Sequence, residues 1–216
     1  PDTQKEIYYI SAETGAQALA SPHLEGFKSK NIPVLIMTDA IDQFWLPMVG
    51  SFKEKKFTSI TQGKINLDEL DSKNKDKKNK SNNDKDKQDK EYVDLIAQLK
   101  VVLGDQVKDI RLSSKLTDSP VCLVADEGDM DIAMEQLMAQ RDSNYKGAPR
   151  ILEINGDHSL IKNMKSLLSK KESNDLVSDA GTLLFEQARL MEGKMPADPA
   201  QFSKIMNQFL LKAIPN

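Results

Sequence analysis

The sequence predicts a small α/β unit with a parallel sheet, followed by an α+β domain whose closing helices form a dimeric four-helix bundle. Three observations carry that reading. Short β-rich apolar runs alternate with helical stretches over residues 1–70. Residues 71–91 read DSKNKDKKNKSNNDKDKQDKE, without one apolar side chain. In residues 92–216 the strands cluster first and the helices run on to the end, which is α+β order.

In the first unit, IYYI at 7–10 and IPVLIMT at 32–38 lack polar alternation, as in parallel strands covered on both faces. FTSIT at 57–61 is a third strand. Helices fill 16–30, interrupted at Ser21-Pro22, and 40–52, interrupted near Pro47. Strand–helix–strand–helix–strand order implies right-handed parallel crossovers. The Lys/Asp run that follows has no face to bury and cannot offset its ordering entropy, so it reads as a mobile, solvated linker. Its interleaved acids and missing aromatics argue against nucleic-acid binding.

In the second unit, residues 92–103 are helical and close on Gly104. VKDIRL at 107–112 alternates with period two, SPVCLVA at 119–125 is expected to pair with it, and RILEIN at 150–155 is a third strand. Helices follow at 129–141, 159–170, 174–192 and 199–213. The last begins on a cap, with Asp198 at N-cap and Pro199 at N1.

Composition narrows the function. Apolar residues make up 39% and charged residues 29%, the balance of a globular protein with a solvated surface, and a net charge of −3 steers it toward neither nucleic acid nor membrane. The single cysteine, Cys122, lies in the apolar run VCLVA and reads as a buried structural thiol. No run approaches the roughly 20 apolar residues of a membrane helix. The chain opens without a methionine, directly before a strand, and is expected to be a piece of a longer polypeptide.

No catalytic, metal or cofactor constellation stands out. His23 and His158 are far apart and sit at turn or cap positions. Asp39 and Asp42 follow the second strand, where α/β sheets place ligands, which leaves a small nucleotide-binding protein or enzyme as the alternative function. The same DAID also starts a helix, where Asp side chains cap free amides, and that reading is preferred. No glycine loop suited to phosphate is present.

The apolar features say more. Met130, Met134, Leu137 and Met138 share one helical face, opposite Asp129, Asp131, Glu135, Gln136 and Gln140. Periodicity alone leaves that stripe open as core or as an adaptable contact face. In QFWLPMV, Phe44 or Trp45 is either packed on the sheet or offered as an anchor. The last two helices carry wide stripes, with Leu183, Leu184, Leu190 and Met191 on one and Phe202, Ile205, Met206, Phe209 and Leu210 on the other. A helical hairpin apolar on two sides builds a twofold dimer, so these residues are the expected interface of a homodimer.

IYYISAET, SPHLEGFKSKNIPVLIMTDAIDQFW and VKDIRLSSKLTDSPVCLVADEGDMDIAMEQLM together resemble the heat-shock protein 90 chaperone family, its bacterial HtpG branch in particular. The resemblance runs from Ile7 to the final helix and fails only in the linker. It implies that residues 1–70 are the last α/β subdomain of the family's middle region, 71–91 a linker, and 92–216 the dimerisation domain. It places the ATPase domain, with its ATP and Mg, upstream of Pro1, so the chain itself is expected to be non-catalytic. It assigns Met130, Met134, Leu137, Met138, Phe44 and Trp45 to contact with unfolded client proteins. The closing MNQFLLKAIPN lacks an acidic MEEVD-type tail, which resembles bacterial members and implies a cytoplasmic location.

Overall fold

The computed structural model describes residues 4–67, 90–142, 145, 147–169 and 174–214. Residues 71–89 of the expected linker lie outside the described residues.

The first sheet has the order β2-β1-β4-β3. Its central strand β1 (Glu6–Ser11) pairs in parallel with β2 (Val34–Met37) and with β4 (Lys55–Ser59), setting Tyr8 opposite both Val34 and Thr58. The connection from β1 to β2 holds α1 (Gly15–Leu19), a 3-10 turn at Pro22–Leu24 and α2 (Glu25–Ser29). The Ser21-Pro22 interruption therefore falls where expected, and Ser21 Oγ accepts the His23 amide at 3.3 Å. Tyr8, Ile10, Ala18, Leu24 and Phe27 form the core of this unit with Ile60 and Leu67. Tyr8 and Phe27 meet edge to face at 5.0 Å. The expectation that every strand is covered on both faces is corrected at β2, where Leu35 and Ile36 are exposed.

Two further details depart from the sequence reading. Pro47 lies inside α3 (Asp42–Val49) without breaking it. The helix ends three residues later, at Gly50 with φ +66°, so the missing N–H removes one bond near an end. Residues 51–59 then form a hairpin of β3 (Ser51–Phe52) with β4, turning on Lys53 and Glu54 at φ +47° and +64°.

In the second unit α4 (Val93–Leu103) buries Leu95, Leu99 and Leu103 on one stripe and stops at Gly104, φ +49°. It leads to β5 (Val107–Leu112), β6 (Val121–Val124), α5 (Ile132–Arg141) and β7 (Arg150–Ile154). The expected β5–β6 pairing is corrected. The order is β5-β7-β6, with the wholly buried β7 parallel to β5 and antiparallel to β6. Then come α6 (Ser159–Ser169), α7 (Asn174–Met191) and α8 (Pro199–Ala213). His158 Nδ1 accepts the Leu160 amide at 3.2 Å, and Asp198 Oδ1 accepts the Ala200 and Gln201 amides at 3.0 and 2.9 Å, so both residues cap helices. The face of α7 that buries Val177, Ala180, Gly181, Leu184, Phe185 and Ala188 packs on α4 and β6.

Each unit has its own core, yet they are bonded together. Gln62 and Ala125 make a parallel bridge, Lys115 Nζ donates to the Ile60 carbonyl at 2.8 Å, and Arg111 Nη2 donates to the Gly63 carbonyl at 2.8 Å. Lys115 is buried, and its ammonium lies 3.9 Å from buried Glu153, which also accepts from Arg111 and Ser113. A buried charge is tolerated only when paired and hydrogen-bonded in this way.

Candidate functional site

α5 is held by its polar side. Asp131, its N-cap, accepts the Ala133 amide through Oδ1 at 3.0 Å, and its Oδ2 accepts the Ser59 and Thr61 hydroxyls of the first unit. Gln136 Nε2 donates to the Glu192 carbonyl at 2.7 Å, and Gln140 Nε2 to Glu13 at 3.0 Å. Glu135 is buried and takes a bond from the Arg150 guanidinium and another, at 2.7 Å, from the Ala148 amide. Glu135, on the polar side of the helix opposite the Met stripe, is thus buried and paired rather than open to water. Gly147, at φ +69°, leaves room for it, because a Cβ there would stand 2.8 Å from the Glu135 carboxyl carbon.

The helix starts at Ile132 rather than at 129, so Met130 lies before its N-cap Asp131, and Met134, Leu137 and Met138 form the stripe that looks outward. Met130 is 39% exposed and Met134, Leu137 and Met138 are half-buried, while Ile132 alone of the helix's large apolar side chains is fully covered. A cleft of about 310 Å³ separates this helix from the start of α3, with Gln43 on one wall and Ala133 and Leu137 on the other. The two regions singled out in the sequence thus share one cleft. Neither Phe44 nor Trp45 lines it. Trp45 is corrected as a free anchor: its indole packs edge-on against Phe57 at 5.8 Å and its Nε1 donates to Asp42 at 2.7 Å. Phe44 is half-buried, and the open apolar residues of this segment are Ile41, Met48 and Val49. Asp42 also accepts the Asp39 amide, so this acidic pair serves the local turn.

The terminal helices present a second apolar surface. Leu184 and Ile205, expected at an interface, are already covered by their own chain. Leu183, Phe202 and Phe209 are half-buried, Phe209 against the second core. Leu190, Met191, Met206 and Leu210 are exposed. So are Leu211 and Ile214, at 77% and 70%, which the stripe reading passed over because they fall at its edge and beyond its end.

Buried reactive groups are locked away. Burial pushes the Cys122 thiol well up, with Glu153 adding to it, and burial beside Lys115 holds His23 well below its ordinary value. Among the described residues no group of three His, Cys, Asp or Glu is placed to hold a metal ion, and no helix is long and apolar enough to cross a membrane.

Open apolar faces on firmly anchored helices belong to proteins that act by contact with other polypeptides. The sequence profile of the Hsp90 protein family matches residues 1–215, and the chain belongs to that family. It is 40% identical to Chaperone protein HtpG of Roseobacter denitrificans over 98% of this chain and 34% of that one. The corresponding protein of Paramagnetospirillum magneticum is 38% identical, over 99% of this chain and 34% of its own length. That of Wolbachia pipientis wMel is 38% identical, over 97% and 32%. The chain spans about a third of the length of these relatives.

Proposed function

We propose that the chain is the dimerising, client-holding portion of an ATP-dependent, cytoplasmic chaperone that serves protein folding and the stress response. Residues 1–70 are the end of its middle region and 92–216 its dimerisation domain. ATP, Mg and catalysis belong to the remaining two thirds of a protein of the relatives' length. The observation that carries the reading is the half-open face of Met134, Leu137 and Met138 on a helix fixed by its polar side, with exposed Met130 just ahead of its N-cap. Methionine is flexible and polarisable, so such a face adapts to partners of differing shape without moving its scaffold.

The open side of α8 supports a homodimer. Full burial of a large apolar side chain is worth roughly 1.5–3 kcal/mol. Met206, Leu210, Leu211 and Ile214 are between 39% and 77% exposed. Across two copies their burial supplies about 7–14 kcal/mol, of the same order as an association cost of about 4–15 kcal/mol, so this face suits a concentration-dependent pair.

The test is a paired substitution, Met130→Ser with Met134→Ser, measured against a permanently unfolded polypeptide. Loss of two partial contacts weakens binding about fivefold or more, with thermal unfolding nearly unchanged. Unchanged binding overturns the reading. A collapse of stability marks the stripe as core and overturns it equally.

A further inference from the structure

The two adjacent strands at the edge of the first sheet end at a fork. Ser11, last in β1, pairs with Met37, last in β2, and two residues beyond them stand Glu13 and Asp39. The chain then leaves to opposite faces of the sheet. α2 sets Phe27 against Tyr8, while α3 sets Trp45 against Phe57, which pairs with Ile7 and so faces the other way. Adjacent parallel strands whose connections part like this open a crevice at their carboxyl ends, where open α/β sheets bind ligands. That crevice is the cleft of about 310 Å³ beside α5. Its described lining carries Glu13 and Asp39 and no Lys, Arg or His. Both acids are exposed. Asp39 lends its backbone amide to the local turn, but among the described residues its carboxylate has neither a hydrogen bond nor an ion pair. Glu13 accepts from Gln140 through Oε1 at 3.0 Å, which leaves Oε2 free.

The facing wall is apolar at Ala133 and Leu137, and Leu137 also belongs to the outward face with Met134 and Met138. An occupant therefore meets apolar side chains and two uncompensated negative charges in one cleft. Lysine and arginine match that pattern, because their apolar stems lie along such a wall while the charged head reaches the acids. Complementary charge of this kind selects among partners more than it adds affinity. We propose that the cleft selects extended polypeptide segments carrying a lysine or arginine beside an apolar residue, the apolar side chain on Leu137 and Ala133 and the cation on Asp39 and Glu13. The inference rests on the reading that the chain holds polypeptide clients, and adds the charge by which it chooses among them. Both acids face water, so the selection is modest and fades with salt.

The probes are fluorescein-labelled peptides of alternating leucine and serine, titrated onto the whole chain by anisotropy. One carries two lysines, its twin the same lysines N-acetylated, and a third two glutamates in their place. The lysine peptide binds about threefold or more tighter than its acetylated twin, and the ratio falls toward one in roughly 0.5 M salt. Glu13→Gln with Asp39→Asn removes the ratio without weakening the acetylated peptide, and the new amide at position 13 still accepts the Gln140 bond. Asp39→Lys, at an exposed position, moves the preference toward the glutamate peptide. Equal binding of the lysine and acetylated peptides overturns the proposal, as does a ratio that survives the double substitution. If the ratio is absent while Met134→Ser weakens all the peptides, charge selection falls and the client-holding reading stands. If the ratio holds while Met134→Ser changes nothing, the acidic cleft stands and the apolar client face falls. Binding of no peptide removes both.

Discussion

The carboxylate of Glu25, in the first unit, closes on the turn at Ser119 in the second. Its oxygens accept the amides of Thr117, Asp118 and Ser119 at 2.8 to 3.1 Å, and the Ser119 hydroxyl as well. Successive amides aimed at one anion form a nest, and bonds to a charged acceptor are worth more than neutral ones. Since Glu25 remains partly exposed, Glu25→Ala is expected to cost about 2 kcal/mol rather than the full value of each bond. Urea unfolding measures it; a loss below about 0.5 kcal/mol would show that this clamp contributes little to the joint.

The same joint sets an acid response. Burial pushes the Glu25 carboxyl up, but the Ser119, Asp118 and Thr117 donors outweigh it, and the net direction is below 4.5. Its contribution is therefore complete above pH 4.5 and is lost as pH falls through the lower folded value. His23 acts earlier. Its folded value lies well below 6.5, so the unfolded chain takes up a proton that the folded chain refuses, and stability declines as pH drops below 6.5. His23→Gln should flatten the upper window and Glu25→Gln the lower. Identical pH profiles for wild type and both variants would refute the assignment.

Gly26 explains why these elements approach so closely. A Cβ there would meet the Lys115 carbonyl oxygen and Leu67 Cδ1 at 2.5 Å, and Lys115 Cα at 3.0 Å. The Lys115 backbone cannot retreat easily, because its amide donates to Ser113 Oγ and its Nζ to Ile60. Gly26→Ala would gain up to about 1 kcal/mol of helix propensity at an unstrained site. Here overpacking against backbone wins, and a net loss of about 1–3 kcal/mol is expected in thermal unfolding.

Glu135 and Arg150 form a buried pair, each side chain 4% exposed. Removing one partner strands the other, at about 3–5 kcal/mol, while replacing both with apolar residues costs far less. Glu135→Leu and Arg150→Met should each destabilise strongly, and the double variant less than the sum of the two. Strict additivity would mean the two charges are not coupled.

The sequence was most legible where periodicity and burial coincide. The run at 7–10, the helix read over 92–103 with its stop at Gly104, and the Asp198 cap all lie in the structure where the residues pointed. It was least legible where a partner is distant. Lys53-Glu54 lacks the Asn or Gly that usually marks a turn with two positive φ angles, so the hairpin carried no signal. The insertion of β7 between β5 and β6 defeats the habit of pairing sequential strands. The burial of Glu135 carried no local signal, because its partner Arg150 lies fifteen residues on, across a loop. The Met stripe was visible as a stripe, yet its exposure is decided by Gln136, Gln140 and Asp131 bonding to other elements.

The terminal helices give the sharpest separation between stability and assembly. Leu184 and Ile205 are 4% exposed in a single chain, so Leu184→Ala or Ile205→Ala should cost about 2–5 kcal/mol at every protein concentration. Leu210 and Leu211 are 49% and 77% exposed, and Leu210→Ser with Leu211→Ser removes apolar area that this chain does not cover. In the proposed dimer the second pair should shift the monomer–dimer midpoint upward by tenfold or more, while unfolding measured at high dilution stays near wild type. Light scattering over a concentration series distinguishes them. A wild-type chain that stays monomeric on the order of tens of micromolar would remove the dimer, and the open face of α8 would then need another partner. If the chain does dimerise and the double serine variant dimerises as tightly, the twofold contact lies elsewhere, away from Leu210 and Leu211.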